Sequence, residues 1–258
     1  FRLAHRIDGD VLGDRPRCRV LATPVTGLDH IDLDACAARG VQVVSLRGEV
    51  AFLEKVRATA ELTVGLMIAL LRHLPQAAVD VVAGHWERDR FRGGELFEKT
   101  VGVVGVGRLG TIVAHILRAF GCRVLGFDPR DDFPEGAVDV RCASLEELLA
   151  QSDIVTLHVA YKAAGPGATR HLIGESAFAR MKPGAIVVNT SRGGLVDEAA
   201  LLRALAAGTL AGAALDVLEG EPGIDGNHAV VAAARGPLAD RLLVVPHIGG
   251  NTRESFEK

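Results

Sequence analysis

The stretch TVGVVGVGRLG, residues 100–110, joins an apolar run typical of a buried parallel strand to a glycine-rich turn and the start of a helical pattern. The turn has the spacing G-x-G-x-x-G and contains Gly105, Gly107, Arg108, Leu109 and Gly110. The first glycine permits a tight turn, the second lets the backbone approach a pyrophosphate, and the third lets helix and strand pack closely. The helix N-terminus attracts the phosphate charge. This stretch therefore predicts that the five residues of the turn bind a dinucleotide cofactor.

A second β-type run, CRVLGFD at residues 122–128, ends in Asp128, 18 residues after Gly110. A carboxylate at this position accepts hydrogen bonds from the ribose hydroxyls of the adenosine half and repels a 2′-phosphate. The sequence therefore predicts NAD as the cofactor. Arg130 is the one nearby feature that favours residual use of NADP, because a guanidinium can bind that phosphate.

Short apolar runs alternate with helical patterns along the rest of the chain, which is typical of parallel strands covered on both faces. They are CRVLAT (18–23), VQVVSL (41–46), TVGVVGV (100–106), CRVLGFD (122–128), DIVTLHV (153–159), AIVVNT (185–190), AALDVL (213–218) and LLVVP (242–246). The fold class predicted from this alternation is α/β, with a Rossmann-type doubly wound parallel sheet.

A different pattern separates the second run from the third. In residues 52–74, apolar side chains recur at spacings of three and four, which predicts one long helix buried along one stripe. The charged, glycine-rich segment AGHWERDRFRGGEL that follows is predicted to be an exposed arm. We place the domain boundary near residue 75, so that residues 1–75 and 76–247 form two domains.

The composition excludes several classes of partner. Of the 258 residues, 48% are apolar, and the formal net charge of −3 comes without a cluster of lysine and arginine, so neither nucleic acid nor a membrane surface is an expected partner. The apolar run LTVGLMIALL is too short for a membrane span. Four scattered cysteines lack metal-ligand spacing and indicate a reducing, cytoplasmic location: Cys18, Cys36, Cys122 and Cys142.

Three polar segments follow apolar runs late in the chain, where the strand ends of an open α/β sheet meet ligand: NTSRGG (189–194), LDVLEGEP (215–222) and PHIGG (246–250). The PHIGG stretch alone leaves open whether its histidine is a packed residue at a strand end or a proton donor. Taken in order with G-x-G-x-x-G and FDP, these segments resemble the D-isomer-specific 2-hydroxyacid dehydrogenase family, which includes D-3-phosphoglycerate, D-lactate, glyoxylate/hydroxypyruvate and formate dehydrogenases.

The resemblance implies an NAD-dependent oxidoreductase that interconverts a D-2-hydroxy acid and its 2-keto acid. Its catalytic residues here would be His247 as acid and base, Glu221 as the carboxylate that orients the imidazole and favours its protonated form, and Arg192 as the cation that holds the substrate carboxylate. Formate dehydrogenases have a glutamine in place of that glutamate, so Glu221 favours 2-hydroxyacid chemistry. No metal is required.

Other site residues also follow from the resemblance. Asp216 would lie near the nicotinamide carboxamide, and Thr26 and Gly27, in the loop ATPVTGLDHID, would offer backbone N–H groups to the substrate carboxylate. A turn that only positions the next helix is the other reading of that loop. The segment 158–174 departs from the family: Ala160 stands where many relatives have proline, and a glycine-rich insertion follows it.

The family also implies a second, flavodoxin-like α/β substrate domain, an active site between the domains and a homodimer paired through the arm and the long helix. Here residues 1–75 would form part of the substrate domain, with residues 248–258 returning to it. The family's first β-α-β unit is absent before residue 18, and the chain opens without methionine. We therefore expect either a piece of a longer chain or a truncated gene product.

Two further functions stay open at this level. Because the family includes transcriptional corepressors that keep the catalytic residues, the chain is also compatible with an NAD(H)-sensing binding protein that turns over little substrate. A truncated paralogue that only binds nucleotide is the other. The identity of the 2-hydroxy acid and the physiological direction of the reaction do not follow from the sequence.

Overall fold

The computed structural model describes residues 5–130 and 133–257, and the chain divides into two compact units, Phe1–Val56 and Arg57–Lys258. In the first unit, strands β1 and β2 pair in parallel, Val20 opposite Gln42. Its described elements are α1 (Gly9–Leu12), β1 (Val20–Thr23), α2 (Leu33–Ala38), β2 (Gln42–Ser45) and α3 (Val50–Leu53). A small apolar core lies between α1, α2 and the two strands: Leu12, Ile31, Cys36 and Val41.

The second unit is built on a seven-stranded, all-parallel sheet flanked by helices. Its strands are β3 (Thr100–Val104), β4 (Arg123–Phe127), β5 (Val140–Arg141), β6 (Ile154–Leu157), β7 (Ala185–Asn189), β8 (Leu210–Leu215) and β9 (Leu242–Val244). Its α-helices are α4 (Ala58–Leu71), α5 (Leu74–Val82), α6 (Arg108–Ala119), α7 (Leu145–Gln151), α8 (Glu175–Phe178), α9 (Glu198–Ala206), α10 (Ala229–Arg235) and α11 (Arg253–Glu257). Two short 3₁₀ helices are Arg88–Phe91 and Gly193–Leu195.

The order of the strands explains where ligands can bind. The sheet reads β5-β4-β3-β6-β7-β8-β9, so the chain starts in the middle, moves to one edge and then crosses back to fill the other side. The last residue of β3, Val104, lies opposite both Phe127 of β4 and Leu157 of β6. The direction reverses between β3 and β6, and at such a switch point a crevice opens beyond the carboxyl ends of the strands. The predicted doubly wound parallel sheet is confirmed.

Apolar side chains on both faces of the strands hold the helices in place. Along β7, Ala185 and Val187 belong to one buried cluster, and Ile186 and Val188 belong to the other, as the period of two along a strand requires. The first cluster packs against α7, α8, α9 and α10, and the second packs against α4 and α6. The continuous apolar runs read from the sequence are therefore strands covered on both sides.

All eight predicted strands are present, with two differences in detail. The two-residue strand β5 was not predicted, because it is too short to show a pattern. The seventh run, predicted at 213–218, is strand β8 at Leu210–Leu215. Its first half contains Ala211 and Gly212, which have low β propensity. Tertiary packing requires a small residue there, because a side chain at Gly212 would lie 3.0 Å from the carbonyl oxygen of Arg241 and 3.1 Å from the Leu70 side chain.

The prediction of one long helix over residues 52–74 is wrong. The segment contains the end of α3, the whole of α4 and the first residue of α5. His73 ends α4 in a left-handed conformation with φ of 51°, and Pro75 then stands in the first turn of α5, where proline is tolerated. Among the described residues no single helix could span a membrane, and α4 and α5 have sufficient apolar length only together, across a bend of 62°.

The boundary between the two compact units lies at Val56 and Arg57 instead of near residue 75, because α4 packs on the sheet of the second unit. Ala60 and Met67 of α4 are fully buried in that core. The predicted arm is exposed throughout residues 83–90, and Trp86 is 86% exposed.

Met67→Ala should lower the free energy of unfolding by about 2–5 kcal/mol, because it removes a fully buried side chain and leaves a cavity under α4. Urea denaturation measures the loss. The matched control is Val11→Ala in α1, where the side chain is 63% exposed, and it should change stability by less than about 0.5 kcal/mol. Equal effects of the two substitutions would contradict the assignment of α4 to the core.

Candidate active site

The glycine-rich turn between β3 and α6 has the geometry that a dinucleotide requires. Gly105 has φ of 90°, and a side chain there would meet the carbonyl oxygen of His158 at 2.7 Å. A side chain at Gly110 would lie 2.1 Å from the Gly105 carbonyl oxygen, so this glycine permits the close approach of helix and strand. A side chain at Gly107 would have Nη2 of Arg130 as its nearest neighbour, at 3.5 Å. The middle glycine therefore leaves room for a phosphate beside the first turn of α6.

Asp128 directly follows β4, at the same carboxyl end of the parallel strands as the glycine-rich turn, and it is 8% exposed. Its carboxylate accepts hydrogen bonds from the Val106 N–H at 3.0 Å and from Nε and Nη2 of Arg130, each at 2.9 Å. Burial alone would raise the pKa of Asp128, but the hydrogen bonds and charge of Arg130 outweigh it and lower the pKa. The carboxylate is therefore ionised and able to accept hydrogen bonds, and the side chain of Arg130 already donates two of them.

The carboxylate of Glu221 and the ring of His247 form a close pair. Nδ1 of His247 lies 2.5 Å from Oε2 of Glu221, and Oε1 of Glu221 accepts the Leu218 N–H at 2.6 Å. The side chain of His247 is 23% exposed, and that of Glu221 is 28% exposed. His247 has φ of 51°, a conformation that side chains rarely adopt and that is enriched at functional sites.

Asp216, at the end of β8, holds the segment that carries His247. It is 1% exposed, and its carbonyl oxygen accepts the His247 N–H at 2.8 Å. Its two carboxylate oxygens accept the N–H groups of Ile248 at 2.7 Å and Gly249 at 2.8 Å. Burial raises the pKa of Asp216, although these two hydrogen bonds act in the opposite direction. The sequence motif did not reveal this contact with the backbone of the PHIGG segment.

Arg192 lies in a turn fixed by its neighbours. Asn189 donates from Nδ2 to the Arg192 carbonyl oxygen at 2.9 Å, and Ser191 donates from Oγ to the Val159 carbonyl oxygen at 2.6 Å. A side chain at Gly193 would lie 1.9 Å from the carbonyl carbon of Leu218, so glycine is needed where the two backbones touch. The segment of Arg192 is thereby packed directly against the segment that leads to Glu221.

Thr26 and Gly27 lie in the first unit, in the loop after β1. Thr26 is exposed and Gly27 is half-buried. Between residues that the structure describes, neither backbone N–H donates a hydrogen bond.

Sequence reasoning missed a second group of charged side chains beside the Glu221–His247 pair. Glu219 contacts residues on three other segments: Arg170 and His171, Glu198 at the start of α9, and His228 before α10. The EGEP motif contains both glutamates, but only the second was assigned a role. In residues 5–130 and 133–257, no three His, Cys, Asp or Glu side chains are arranged to hold a metal ion.

Residues 64–249 match the family described as D-isomer specific 2-hydroxyacid dehydrogenase, NAD binding domain. The chain therefore belongs to the D-isomer specific 2-hydroxyacid dehydrogenase family. This confirms the resemblance read from the ordered motifs.

Individual relatives agree with this assignment. The chain is 37% identical over 260 residues to a D-3-phosphoglycerate dehydrogenase of Mycobacterium tuberculosis, which aligns with 100% of this chain and 46% of the relative. It is 35% identical to a hydroxypyruvate reductase of Thermotoga maritima, over 98% of this chain and 78% of the relative. The chain thus spans about half the length of the D-3-phosphoglycerate dehydrogenases that it matches, at 46%.

Solved structures show the same fold. The structure of D-lactate dehydrogenase from Aquifex aeolicus, complexed with NAD and lactic acid, superposes with a TM-score of 0.83 at 31% identity, covering 99% of this chain and 77% of that one. An acyclic imino acid reductase in complex with NADPH and D-Arg superposes with a TM-score of 0.79 at 25% identity, covering 97% and 75%. Similar structures therefore hold either NAD or NADPH.

Asp128→Asn should lower the free energy of unfolding by about 1–3 kcal/mol at pH 7, because a buried acceptor of several hydrogen bonds loses its charge. Since the pKa of Asp128 is lowered by folding, its contribution is complete above the unfolded value and disappears as pH falls through the folded value. The difference in stability between wild type and variant should therefore shrink below about pH 4. Urea titrations from pH 7 to pH 3 test this, and a difference that grows on acidification would contradict it.

Proposed function

We propose that the protein is an NAD-dependent oxidoreductase that interconverts a D-2-hydroxy acid and its 2-keto acid. The observation that carries the proposal is the pairing of His247 with Glu221 beyond the end of β9, on the same edge of the sheet as the glycine-rich turn. A lone histidine has many structural explanations. A histidine in a left-handed conformation, oriented by a carboxylate at the ligand-binding edge, is suited to proton transfer.

His247 would act as the proton donor to the carbonyl oxygen during reduction, and as the base in the opposite direction. Glu221 contacts Nδ1, which leaves Nε2 as the nitrogen for the substrate. The contact with Glu221 would also hold the ring in one orientation while Nε2 exchanges a proton with the substrate. The bound dinucleotide supplies the hydride.

Arg192 would hold the substrate carboxylate, since a guanidinium offers two parallel donors to such a group. Its turn is packed against the segment leading to Glu221, which fixes the backbone positions of both residues. In the first unit, Thr26 and Gly27 would offer backbone N–H groups to a carboxylate. The acid therefore belongs to the class of small 2-hydroxy and 2-keto acids.

NAD would lie along the glycine-rich turn, with its phosphates beside Gly105, Gly107, Arg108, Leu109 and Gly110. The ionised carboxylate of Asp128 would accept the ribose hydroxyls. Asp216 would lie beside the nicotinamide carboxamide, in addition to holding the backbone of Ile248 and Gly249.

The protein would be a cytoplasmic homodimer that pairs through α5 and the arm. Apolar side chains on this surface are exposed in the single chain: Leu74, Val79, Val81, Val82 and Trp86. Several exposed large apolar side chains within one short stretch of chain are consistent with a protein interface. The four free cysteines support a reducing compartment.

His247→Ala should lower kcat/KM for 2-keto acid reduction by about 10²–10⁴-fold, because it removes the proton donor. Loss of NADH absorbance is followed with glyoxylate, hydroxypyruvate, its phosphate and pyruvate. The matched control is His115→Ala on the exposed face of α6, and it should keep wild-type rates. If wild type binds NADH but oxidises it with none of these acids, the NAD(H)-sensing alternative gains support instead.

Arg130→Ala should weaken NADPH binding by about tenfold and leave NADH binding within about twofold, because only the phosphorylated ribose needs the guanidinium. Fluorescence titration with each cofactor measures both dissociation constants. If NADH binding were lost instead, the ion pair with Asp128 would be required to keep the carboxylate in place for NAD.

A further inference from the structure

Glu219 and Glu221, separated by one residue, each face a histidine. Oε2 of Glu219 lies 2.9 Å from Nε2 of His171, as Glu221 lies beside His247. Both histidines have left-handed backbone conformations, with φ of 52° for His171 and 51° for His247. The family motif accounts for the second pair and leaves the first without a role.

The polar groups of Glu219 contact three other segments of the chain. Its N–H donates to Oε1 of Glu198 at 2.8 Å, and its carbonyl oxygen lies 3.3 Å from Nε2 of His228. Oε1 of its carboxylate accepts Nη2 of Arg170 at 3.1 Å, and Oε2 contacts His171. The next residue, Gly220, has φ of 96°, so the chain turns sharply between this anchored residue and Glu221.

Glu219 is also connected to the turn that contains Arg192, through His171. The His171 N–H donates to the Gly194 carbonyl oxygen at 2.8 Å, two residues beyond Arg192. His171 therefore links the turn of Arg192 to the carboxylate of Glu219. The hydrogen bond from His171, together with Arg170, lowers the pKa of Glu219 although burial acts against them, so this carboxylate is ionised near neutral pH. Glu198 is different, because burial raises its pKa.

We propose that Glu219 is a positioning residue, which fixes the Glu221 turn against the Arg192 turn and so sets how closely Glu221 contacts His247. This proposal rests on the proposed function. Glu219 acts through other residues and does not touch the reacting atoms. The charged groups facing it are Arg170, His171, Glu198 and His228, and those facing His247 are Glu221 and Asp216.

Glu219→Gln tests the proposal, because it keeps the backbone contacts and removes the charge that pairs with Arg170 and His171. We expect kcat to fall about tenfold, well within the roughly hundredfold loss that a 1 Å displacement of a reacting group can cause. NADH affinity and Tm should change little. With Glu221 less closely placed, proton transfer through His247 is impaired, so the pH profile of kcat in reduction should differ from that of wild type.

Two further variants provide a control and a second test. Glu175→Gln makes the same chemical change at an 82%-exposed carboxylate paired with Arg203, and should leave kcat and the pH profile unchanged. His171→Asn keeps a residue that tolerates the left-handed conformation and removes one partner of Glu219, so it should shift the pH profile in the same direction as Glu219→Gln. Wild-type kcat and pH profile in Glu219→Gln would overturn the proposal, as would a parallel loss of activity, NADH binding and Tm.

A readout without substrate separates this proposal from the proposed function. The imidazole NMR signals of His247, assigned with His247→Gln, should shift in Glu219→Gln and stay in place in Glu175→Gln. If wild type reduces no 2-keto acid, the proposed function fails and these signals alone decide the present proposal. Signals unchanged by Glu219→Gln would overturn it.

Discussion

The site depends on the buried carboxylate of Asp216. It lies at the end of β8 with 1% exposure, and its hydrogen bonds to the N–H groups of Ile248 and Gly249 hold the chain where it leaves β9. Its backbone carbonyl accepts the His247 N–H. Two neighbouring parallel strands are tied together just beyond their ends, and His247 is kept in a conformation that its side chain would otherwise disfavour.

The parallel topology brings the other candidate site residues to the same carboxyl end of the strands. Gly105, Asp128 and Asp216 each directly follow a strand, and these strands all run in one direction, so residues far apart in sequence emerge side by side. Small residues then allow the loops to touch, as where Gly193 meets the backbone of Leu218. The parallel strands bring these segments to the same end of the sheet, and the contacts between loops set their finer placement.

The features with a local signature could be predicted from the sequence. The glycine-rich turn and Asp128 follow from spacing alone, and the strands follow from continuous apolar runs. The end of α3, the break at His73 and the early start of β8 could not be predicted, because packing and backbone conformation override propensity there. The pairing of Glu219 with His171 joins residues 48 positions apart and leaves no pattern in the sequence.

A crystal structure of the protein with NADH and oxamate, an unreactive analogue of a 2-keto acid, would show directly whether His247 is the proton donor. We expect Nε2 of His247 to lie within about 2.6–3.2 Å of the oxamate carbonyl oxygen, with the guanidinium of Arg192 on the oxamate carboxylate. Oxamate bound away from His247, or with its carbonyl oxygen directed at another donor, would contradict the assignment of His247 as the proton donor.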